Sequence, residues 1–482
     1  MRSASGLSTH AAPTDARPRR ILLVDADAFF VAVARMVDPD GAGKAKLLIV
    51  GGAPGSRGVV CSASYEARRF GVRSAMPMAR AVRLCPQAMC VPVPRGACGR
   101  KSREISAVLH RFAPVVQAAS IDEWYLDLSG TEALYREAPL GEVAHRIRDA
   151  VRAATGLTVS LGGGTNKLIA KLAVEFGKPK PGSAGTGVFV VAPGAEGDFM
   201  QQVPLGDIPG VGPRLRDRLE ALGLRSVPDV LAAGIPALER MLGERAGRWL
   251  HERARGIGSV EVVARERPKS VSHEDTFHDD VNDDSVLGVE LVRLVTKVAS
   301  DLRARELSTR TISVKVKDAD FRIRRASRTL ESPVVADRVI LEVARELLHK
   351  LRGARRTPAR LLGVGLSGLG DDADGAEGEG QLSLFGDAPA VATLETARDR
   401  ALASAVDTLR SRYGADAIVP GRLATLGARS ARGAPREVSR DVPRDAPRDA
   451  PRDAPRPPAP NASPAAEVPP PGRGPGARPS GR

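Results

Sequence analysis

Short apolar runs with polar or turn-forming ends alternate with amphipathic stretches along residues 19–190. Apolar runs of about four residues have the length of buried strands, whereas apolar positions three and four residues apart are typical of helices that cover a core. The pattern predicts strands at Ile21–Val24, Leu47–Val50 and Val188–Val191, and helices at Ile105–Phe112 and Glu142–Ala154. This part of the chain is therefore expected to be a mixed α/β structure.

Two regions with different patterns follow. Residues 200–258 contain only helical periodicity, interrupted by turn residues such as Pro209 and Gly210, and are expected to be all-helical. After a basic connector at 265–272, residues 273–370 mix helix and strand again. The pattern predicts helices at Leu287–Leu302, Val335–Leu351 and Thr393–Tyr413, and a strand at Thr311–Val316. The predicted fold class is α+β with several domains.

Three segments carry no pattern that could build a core. Residues 1–18 are rich in Ser, Ala and Pro, residues 370–380 are acidic and glycine-rich, and from Arg429 the chain is rich in Pro, Arg and Ala. In that last segment the tetrapeptide R-D-[V/A]-P repeats, and a proline at every fourth position excludes a helix. We predict a disordered N-terminal extension, an acidic linker and a disordered Pro/Arg-rich tail over residues 421–482.

Length and charge narrow the class of protein. The 482 residues allow about three domains, and the formal net charge of +15 favours a polyanionic partner, either nucleic acid or an anionic membrane surface. No apolar run approaches the ~18–20 residues of a membrane span, and the run after Arg19 and Arg20 ends at Asp25, too early for a secretory signal. The four cysteines form no CxxC pair, so we expect a protein of the reducing cytoplasm without membrane contact.

Two acidic segments carry the first candidate chemistry. Asp25 ends the first predicted strand, and Asp122 and Glu123 are adjacent in a second apolar segment. Adjacent acids on an ideal strand point to opposite faces, so these two can converge only at a turn or bulge. Oxygen ligands without His or Cys favour Mg²⁺ or Mn²⁺, and a pair of such ions is common in phosphoryl transfer. The competing interpretation is that these acids cap turns or form surface ion pairs.

Two segments are candidates for binding phosphate. Ser62, Tyr65 and Arg68 recur at intervals of three and would lie along one side of a helix, where a hydroxyl, a phenol and a guanidinium suit a triphosphate. A solvated helix face is the alternative. The run 162–164 of three glycines, with Lys171 and Lys178 downstream, resembles a phosphate cradle but lacks the P-loop spacing.

Two further segments favour nucleic acid as the polyanion. Gly210 and Gly212 precede a predicted helix, an arrangement by which a helix-hairpin-helix binds the DNA backbone, although it is also an ordinary tight turn. A strand-like alternation in the last mixed region would place basic side chains on one face of a strand pair. These residues are Lys315, Lys317, Arg322 and Arg324. Such a face suits a nucleic acid backbone, or is simply solvated.

Taken in chain order, these motifs resemble those of one known family. The chain contains VDADAFF, YEARRFGVR, SIDEWYLDLSG, NKLIAKLA, DIPGVG and LLGVGLSGL in the order and at roughly the spacing of Y-family translesion DNA polymerases, the bacterial members above all. The resemblance spans about residues 20–420. It implies a right-hand core of palm, fingers and thumb with an additional α/β little-finger domain that grips primed template DNA. The implied activity is low-fidelity addition of dNTPs to a primer 3′-hydroxyl during DNA damage tolerance.

The resemblance also implies domain boundaries. They are palm 19–28 and 94–186, fingers 29–93, thumb with helix-hairpin-helix 187–262, linker 263–272, little finger 273–370, linker with a clamp-binding motif 371–392, and C-terminal helical segment 393–420. A monomer is expected.

Individual roles follow from the same motifs. Asp25, Asp122 and Glu123 match the catalytic carboxylates and, with the carbonyl of Ala26, would bind two Mg²⁺ ions, or Mn²⁺ in their place. Phe30 stands at the position of the steric gate, a side chain that excludes a ribose 2′-hydroxyl. The residues that match triphosphate contacts are Ser62, Tyr65, Arg68 and Lys178.

Three features depart from the family pattern. The Gly162–Gly164 run replaces a less flexible segment, and Ser62 stands where Thr is common, although the hydroxyl is kept. Trp124 stands where the family usually has a small residue, and it would crowd the floor of the active site.

A separate motif follows the acidic linker. Gln381, Leu382, Leu384 and Phe385 form an apolar cluster in a polar stretch and resemble the pentapeptide by which bacterial polymerases bind their ring-shaped sliding clamp. An edge strand, or the start of the last helix, is the alternative.

Two competing functions stay open on the sequence alone. One is a catalytically idle relative that binds DNA and clamp, which the loss of an acid would indicate, yet all three acids are present. The other is a helix-hairpin-helix repair module or nuclease, which leaves the VDADAFF and YEAR segments unexplained.

Overall fold

The computed structural model describes residues 17–179, 185–264, 267–371, 394–414 and 417–421. These residues form twelve strands and thirteen α-helices. The strands are β1 (Ile21–Ala26), β2 (Leu48–Gly51), β3 (Val60–Ala63), β4 (Met89–Val91), β5 (Val115–Ala118), β6 (Glu123–Asp127), β7 (Val159–Gly164), β8 (Val188–Val190), β9 (Ser270–Val281), β10 (Leu307–Asp318), β11 (Ile323–Val334) and β12 (Ala359–Asp371). The helices are α1 (Phe29–Val37), α2 (Tyr65–Arg69), α3 (Met78–Leu84), α4 (Arg95–Leu109), α5 (Leu140–Thr155), α6 (Lys167–Gly177), α7 (Glu196–Gln201), α8 (Pro213–Ala221), α9 (Val227–Leu242), α10 (Glu244–Ala254), α11 (Asp284–Arg303), α12 (Asp337–Ala354) and α13 (Ala397–Tyr413).

A five-stranded sheet in the order β5-β6-β1-β7-β8 forms the first layer. Strand β1 lies at its centre, antiparallel to both β6 and β7. Leu22 and Val24 point into the core shared with α4 and α5, whereas Ile21 and Leu23 pack against α6 on the opposite face. Because both faces are covered, β1 is an unbroken apolar run, as the sequence pattern predicted.

The three-glycine run lies on strand β7, so its interpretation as a phosphate cradle is wrong. A side chain at Gly162 would overlap the backbone of Ala170 and Val174 on α6, and one at Gly164 would meet Ile169. The glycines therefore allow α6 to pack closely on the sheet. This packing fixes α6 beside the carboxyl-bearing end of β1.

A smaller sheet in the order β3-β2-β4 stands beside the first, and α1 packs into the cores of both. Ser62 lies on β3, while Tyr65 and Arg68 lie on α2. The prediction that all three residues share one helix is therefore wrong, since the Ser64 side chain caps α2 at Ala67 and the helix begins only at Tyr65.

Helices α7 to α10 make up the predicted all-helical region, and their core also includes Leu168, Ile169, Leu172 and Ala173 of α6. A further core lies under a four-stranded antiparallel sheet, β11-β10-β12-β9, and α11 and α12 cover that face of the sheet. The other face of that sheet is open, as the polar alternation along β10 predicted.

Helix α13 packs against the last region. Arg303 at the end of α11 makes two hydrogen bonds with Asp407, at 2.7 and 3.1 Å, and Arg338 of α12 makes two with Asp399, at 2.7 and 2.9 Å. The predicted helix at 393–413 is confirmed, with its start at Ala397 because Thr396 and Asp399 form a capping box there.

Candidate active site

Three carboxylates come together at one end of the β1–β6 pair. Asp25 and Glu123 are directly opposed in the antiparallel register. Asp122 lies in the turn between β5 and β6, and its carbonyl accepts a 2.9 Å hydrogen bond from the N–H of Ala26. The turn that the adjacent acids required is thus present, and it brings Asp122 next to the end of β1.

Each of these carboxylates has a polar partner. Lys178 Nζ lies 3.1 Å from Asp25 Oδ2, and the Lys171 ammonium pairs with Glu123. The Ser120 hydroxyl donates to Asp122. The sequence interpretation assigned Lys171 only to the discarded phosphate cradle, although its spacing from Lys178 on one helical stretch could have indicated a shared face.

The electrostatics of the Asp25–Lys178 pair reflect burial and mutual attraction. Burial raises the pKa of Asp25 to about 6, and Lys178 opposes that shift. Burial would lower the pKa of Lys178, but the carboxylates of Asp25 and Glu175 outweigh it and raise that pKa. The lysine therefore stays charged, and it compensates a carboxylate that is costly to ionise in this position.

The donor set suits a hard divalent cation. The carboxylates of Asp25, Asp122 and Glu123 and the carbonyl of Ala26 offer oxygen only, which favours Mg²⁺ or Mn²⁺. Within the described ranges, no three acidic, His or Cys side chains stand close enough to form a finished metal site. Lysines hold two of the acids instead, so these side chains must turn before they can share an ion.

A cavity of about 310 Å³ opens beside Asp25 and Asp122. Eight residues predicted from the sequence line it, namely Asp25, Ala26, Phe30, Ser62, Tyr65, Arg68, Asp122 and Lys178. Cys61, Ser74 and Glu175 also line it and carried no signal in the sequence interpretation. Glu123 is not in the lining, because its side chain is held by Lys171.

Strand β3 and helix α2 also contribute to the cavity lining. Arg68 donates from Nε to the Ala63 carbonyl at 2.9 Å, and its guanidinium lies 5.3 Å from the centre of the Tyr65 ring. Burial raises the pKa of Tyr65, so its phenol remains a hydrogen-bond donor at neutral pH. A guanidinium, a phenol and the Ser62 hydroxyl therefore line the same cavity as two carboxylates, a combination suited to a metal-bound triphosphate.

Trp124 does not crowd the cavity, so that expectation is wrong. It is 1% exposed and belongs to the core between the first sheet and α4. The reason is the alternation of β6, which sends Glu123 to one face of the sheet and Trp124 to the other.

The open face of the β11-β10-β12-β9 sheet carries only part of the predicted basic set. Lys315 and Lys317 lie on it, Lys315 against Glu274 at 2.6 Å and Lys317 4.6 Å from the Phe321 ring. Arg322 is exposed in the turn before β11.

Arg324, in contrast, points to the helix-covered side, so its assignment to the open face is wrong. Its guanidinium makes hydrogen bonds of 2.8 and 2.9 Å with the fully buried Asp318. Arg325 is the residue that pairs with Lys315 in register and lines the same shallow groove, about 250 Å³ in volume. A position one residue earlier or later on a strand lies on the opposite face, and this decides which arginine is available.

In the helical region, Gly210 and Gly212 flank the turn that leads into α8. Gly210 has φ +105°, and a side chain there would come within 2.5 Å of Trp249. Gly212 is the N-cap of α8, and a side chain added there would meet no atom within 4 Å.

The four clamp-motif residues, Gln381, Leu382, Leu384 and Phe385, lie outside the described residues.

Comparison with known families matches three parts of the chain. Residues 24–175 match the impB/mucB/samB family, residues 268–384 match the C-terminal domain of that family, and residues 206–258 match a thumb domain described for DNA polymerase iota. A relative named DNA polymerase IV from Xanthomonas euvesicatoria is 39% identical over 371 residues, which cover 77% of this chain and 99% of the relative. Another of that name, from Halorhodospira halophila, is 40% identical and covers 73% of this chain and 95% of the relative.

Solved structures agree with this. A chimera of the Y-family DNA polymerases Dbh and Dpo4 superposes with a TM-score of 0.64 at 27% identity, covering 72% of this chain and 98% of the chimera. An insertion ternary complex of Dbh DNA polymerase gives 0.53 at 26% identity, with the same coverage. This chain belongs to the Y family of DNA polymerases.

Among the described residues, no helix is long and apolar enough to cross a membrane.

Proposed function

We propose that the 310 Å³ cavity is the site where this translesion DNA-directed DNA polymerase adds a dNTP to a primer 3′-hydroxyl. The observation that carries the proposal is that one cavity is lined both by Asp25 and Asp122 and by Ser62, Tyr65 and Arg68. This arrangement can hold a triphosphate between cations and hydrogen-bond donors, with the nucleotide sugar next to Phe30.

Asp25, Asp122, Glu123 and the Ala26 carbonyl are the proposed ligands of two Mg²⁺ ions. When bound, such ions lower the pKa of the attacking hydroxyl and offset the charge on the triphosphate and the departing pyrophosphate. Lys178 already pairs with Asp25, and a triphosphate gives this ammonium a second anion to bind. Arg68 and Tyr65 orient the phosphates, and the Phe30 ring excludes a 2′-hydroxyl by its bulk.

Primed template DNA is the proposed polyanionic partner. Lys315, Lys317, Arg322 and Arg325 would contact its backbone from the open sheet face, while the backbone N–H groups near Gly210 and Gly212 would contact phosphate from the helical region. None of these contacts reads a base, which suits a polymerase that must act on any sequence.

The remaining assignments complete the proposal. The domain boundaries given above, from palm through little finger, are proposed for this chain, as are a monomeric state and action on DNA in the cytoplasm. Gln381, Leu382, Leu384 and Phe385 are proposed to bind the sliding clamp.

The experiment that tests the proposal is primer extension on a primed template with each dNTP, with and without Mg²⁺. Template-directed, Mg²⁺-dependent addition is expected. DNA binding without any extension, at any divalent ion tested, would instead identify an idle scaffold.

A further inference from the structure

Helix α6 and the residue after it supply the cations that pair with both opposed carboxylates. Lys171 on α6 contacts Glu123, and Lys178, immediately after the helix, contacts Asp25 at 3.1 Å. Lys178 follows Lys171 by seven positions, which is about two helical turns. Both lysines therefore lie on the side of the helix that faces the β1–β6 pair. Each of the two opposed carboxylates therefore has a lysine partner.

The two lysines differ in which ligand, a triphosphate or a cation, could break their ion pairs with the carboxylates. Lys178 lines the 310 Å³ cavity and also pairs with Glu175 at 2.6 Å, so an incoming triphosphate meets it directly. Lys171 is not part of the cavity lining. A nucleotide in the cavity therefore does not reach the Lys171–Glu123 pair, and a cation must break that pair by itself.

We propose that Lys171 is a positioning residue that holds the Glu123 carboxylate in the metal-free enzyme and competes with the divalent ion for it. This inference rests on the proposed function, because it takes Glu123 as a metal ligand. It implies that the enzyme without nucleotide binds divalent ions weakly, and that the weakness comes from this ammonium group and not from a lack of ligands.

The test is Mn²⁺ binding to the full chain without DNA or nucleotide, followed by the electron paramagnetic resonance signal of free Mn²⁺. Lys171→Met is expected to tighten Mn²⁺ binding about tenfold, the scale of one charge-assisted hydrogen bond. Lys171→Arg keeps the charge and should bind Mn²⁺ no more tightly than the wild type. Lys167→Met is the matched control, since Lys167 lies one turn earlier on α6 and contacts Gln117 and the Tyr125 ring rather than a carboxylate.

Equal Mn²⁺ affinity of the wild type and Lys171→Met, or weaker binding by the variant, would overturn the inference, provided that both unfold at the same temperature. Should Lys171→Met fail to fold, Lys171→Gln replaces it with the same expectation. Glu123→Gln separates this outcome from failure of the proposed function. If Glu123→Gln binds Mn²⁺ as the wild type does, the ligand assignment itself is wrong; if it binds more weakly, only the role of Lys171 is in question.

Discussion

Phe29 and Phe30 are consecutive residues whose rings meet edge to face, with centroids 5.5 Å apart and planes at 72°. Both residues line the cavity, but Phe29 is 2% exposed and belongs to the core between the first sheet and its helices, whereas Phe30 is half-buried. The preceding residue, Ala28, adopts a left-handed conformation with φ 44°, and α1 begins directly after it. The two rings therefore have different tasks, which substitution can separate.

Replacing Phe30 by Val should raise ribonucleotide incorporation by roughly two orders of magnitude while use of dNTPs falls only modestly, because the smaller side chain leaves room for a 2′-hydroxyl. The measurement is the ratio of kcat/KM for a dNTP and for the matching rNTP. Phe29→Leu is the control: it should lower stability by about 1 kcal/mol and leave that ratio unchanged. An unchanged ratio in Phe30→Val would mean that this ring only packs.

Asp122→Ala should lower primer extension at least about a hundredfold while DNA affinity stays near that of the wild type. The change removes a carboxylate that stabilises developing charge at the reacting phosphate, and it removes no contact to the DNA backbone. Single-turnover extension and fluorescence anisotropy on the same primed template measure the two quantities.

Asp127→Ala is the matched control for Asp122→Ala. Asp127 is the last residue of β6, at the opposite end of this strand from the turn that contains Asp122, and pairs with Arg19 at 3.3 Å. Its loss should leave extension intact. Near-normal extension by the Asp122 variant would contradict the site assignment.

Arg324 and Arg325 are adjacent and should respond in opposite ways. Arg325→Ala should weaken DNA binding and reduce the salt slope of log K by about one, because one phosphate contact is lost. Arg324→Ala should leave the slope unchanged and lower the free energy of unfolding by roughly 1–3 kcal/mol, since the buried Asp318 loses a partner and keeps only Arg355. The reverse outcome would show that Arg324 faces the DNA.

This pair shows where sequence reasoning stops. Strand β10 and its alternation were predicted from the sequence. Which face of the sheet each β11 side chain points to, however, depends on the length of the turn between β10 and β11, in which Phe321 has φ 68°. A one-residue offset in that turn exchanges the two arginines between the faces. The periodicity within one strand carries no information about its register with the neighbouring strand.

The candidate site also contains features that the sequence could predict and features that it could not. Asp25, Asp122 and Phe30 were predictable because each belongs to a local motif at the end of a strand or the start of a helix. The pairing of Lys171 with Glu123 was not, because it depends on how closely α6 approaches the sheet. That approach is set by Gly162 and Gly164, which the sequence analysis interpreted as part of a possible phosphate cradle.

The two glycines before α8 offer a test of the helical region. Gly210→Ala should lower the free energy of unfolding by about 1–3 kcal/mol, because its φ of +105° disfavours a side chain and the added methyl group would meet Trp249. Gly212→Ala has open space around it and should change stability by less than about 0.5 kcal/mol. Chemical denaturation of both variants measures this, and equal effects would contradict the geometry of the turn.

The apolar residues of the proposed clamp motif give the last prediction. Leu384→Ala combined with Phe385→Ala should leave extension of a short primed template unchanged when no clamp is present, because the proposed contacts to the nucleotide and to the DNA come from other residues. Binding of such a peptide alone is expected to be weak, since the chain around it loses conformational freedom on docking. Once a clamp encircles the DNA, attachment through this motif raises the effective concentration of the polymerase at the primer end, and processivity with it. The double variant should therefore lose the stimulation that a loaded clamp gives to the wild type, as measured by product length per binding event in the presence of excess trap DNA. Equal stimulation of both proteins would show that the clamp binds elsewhere on the chain.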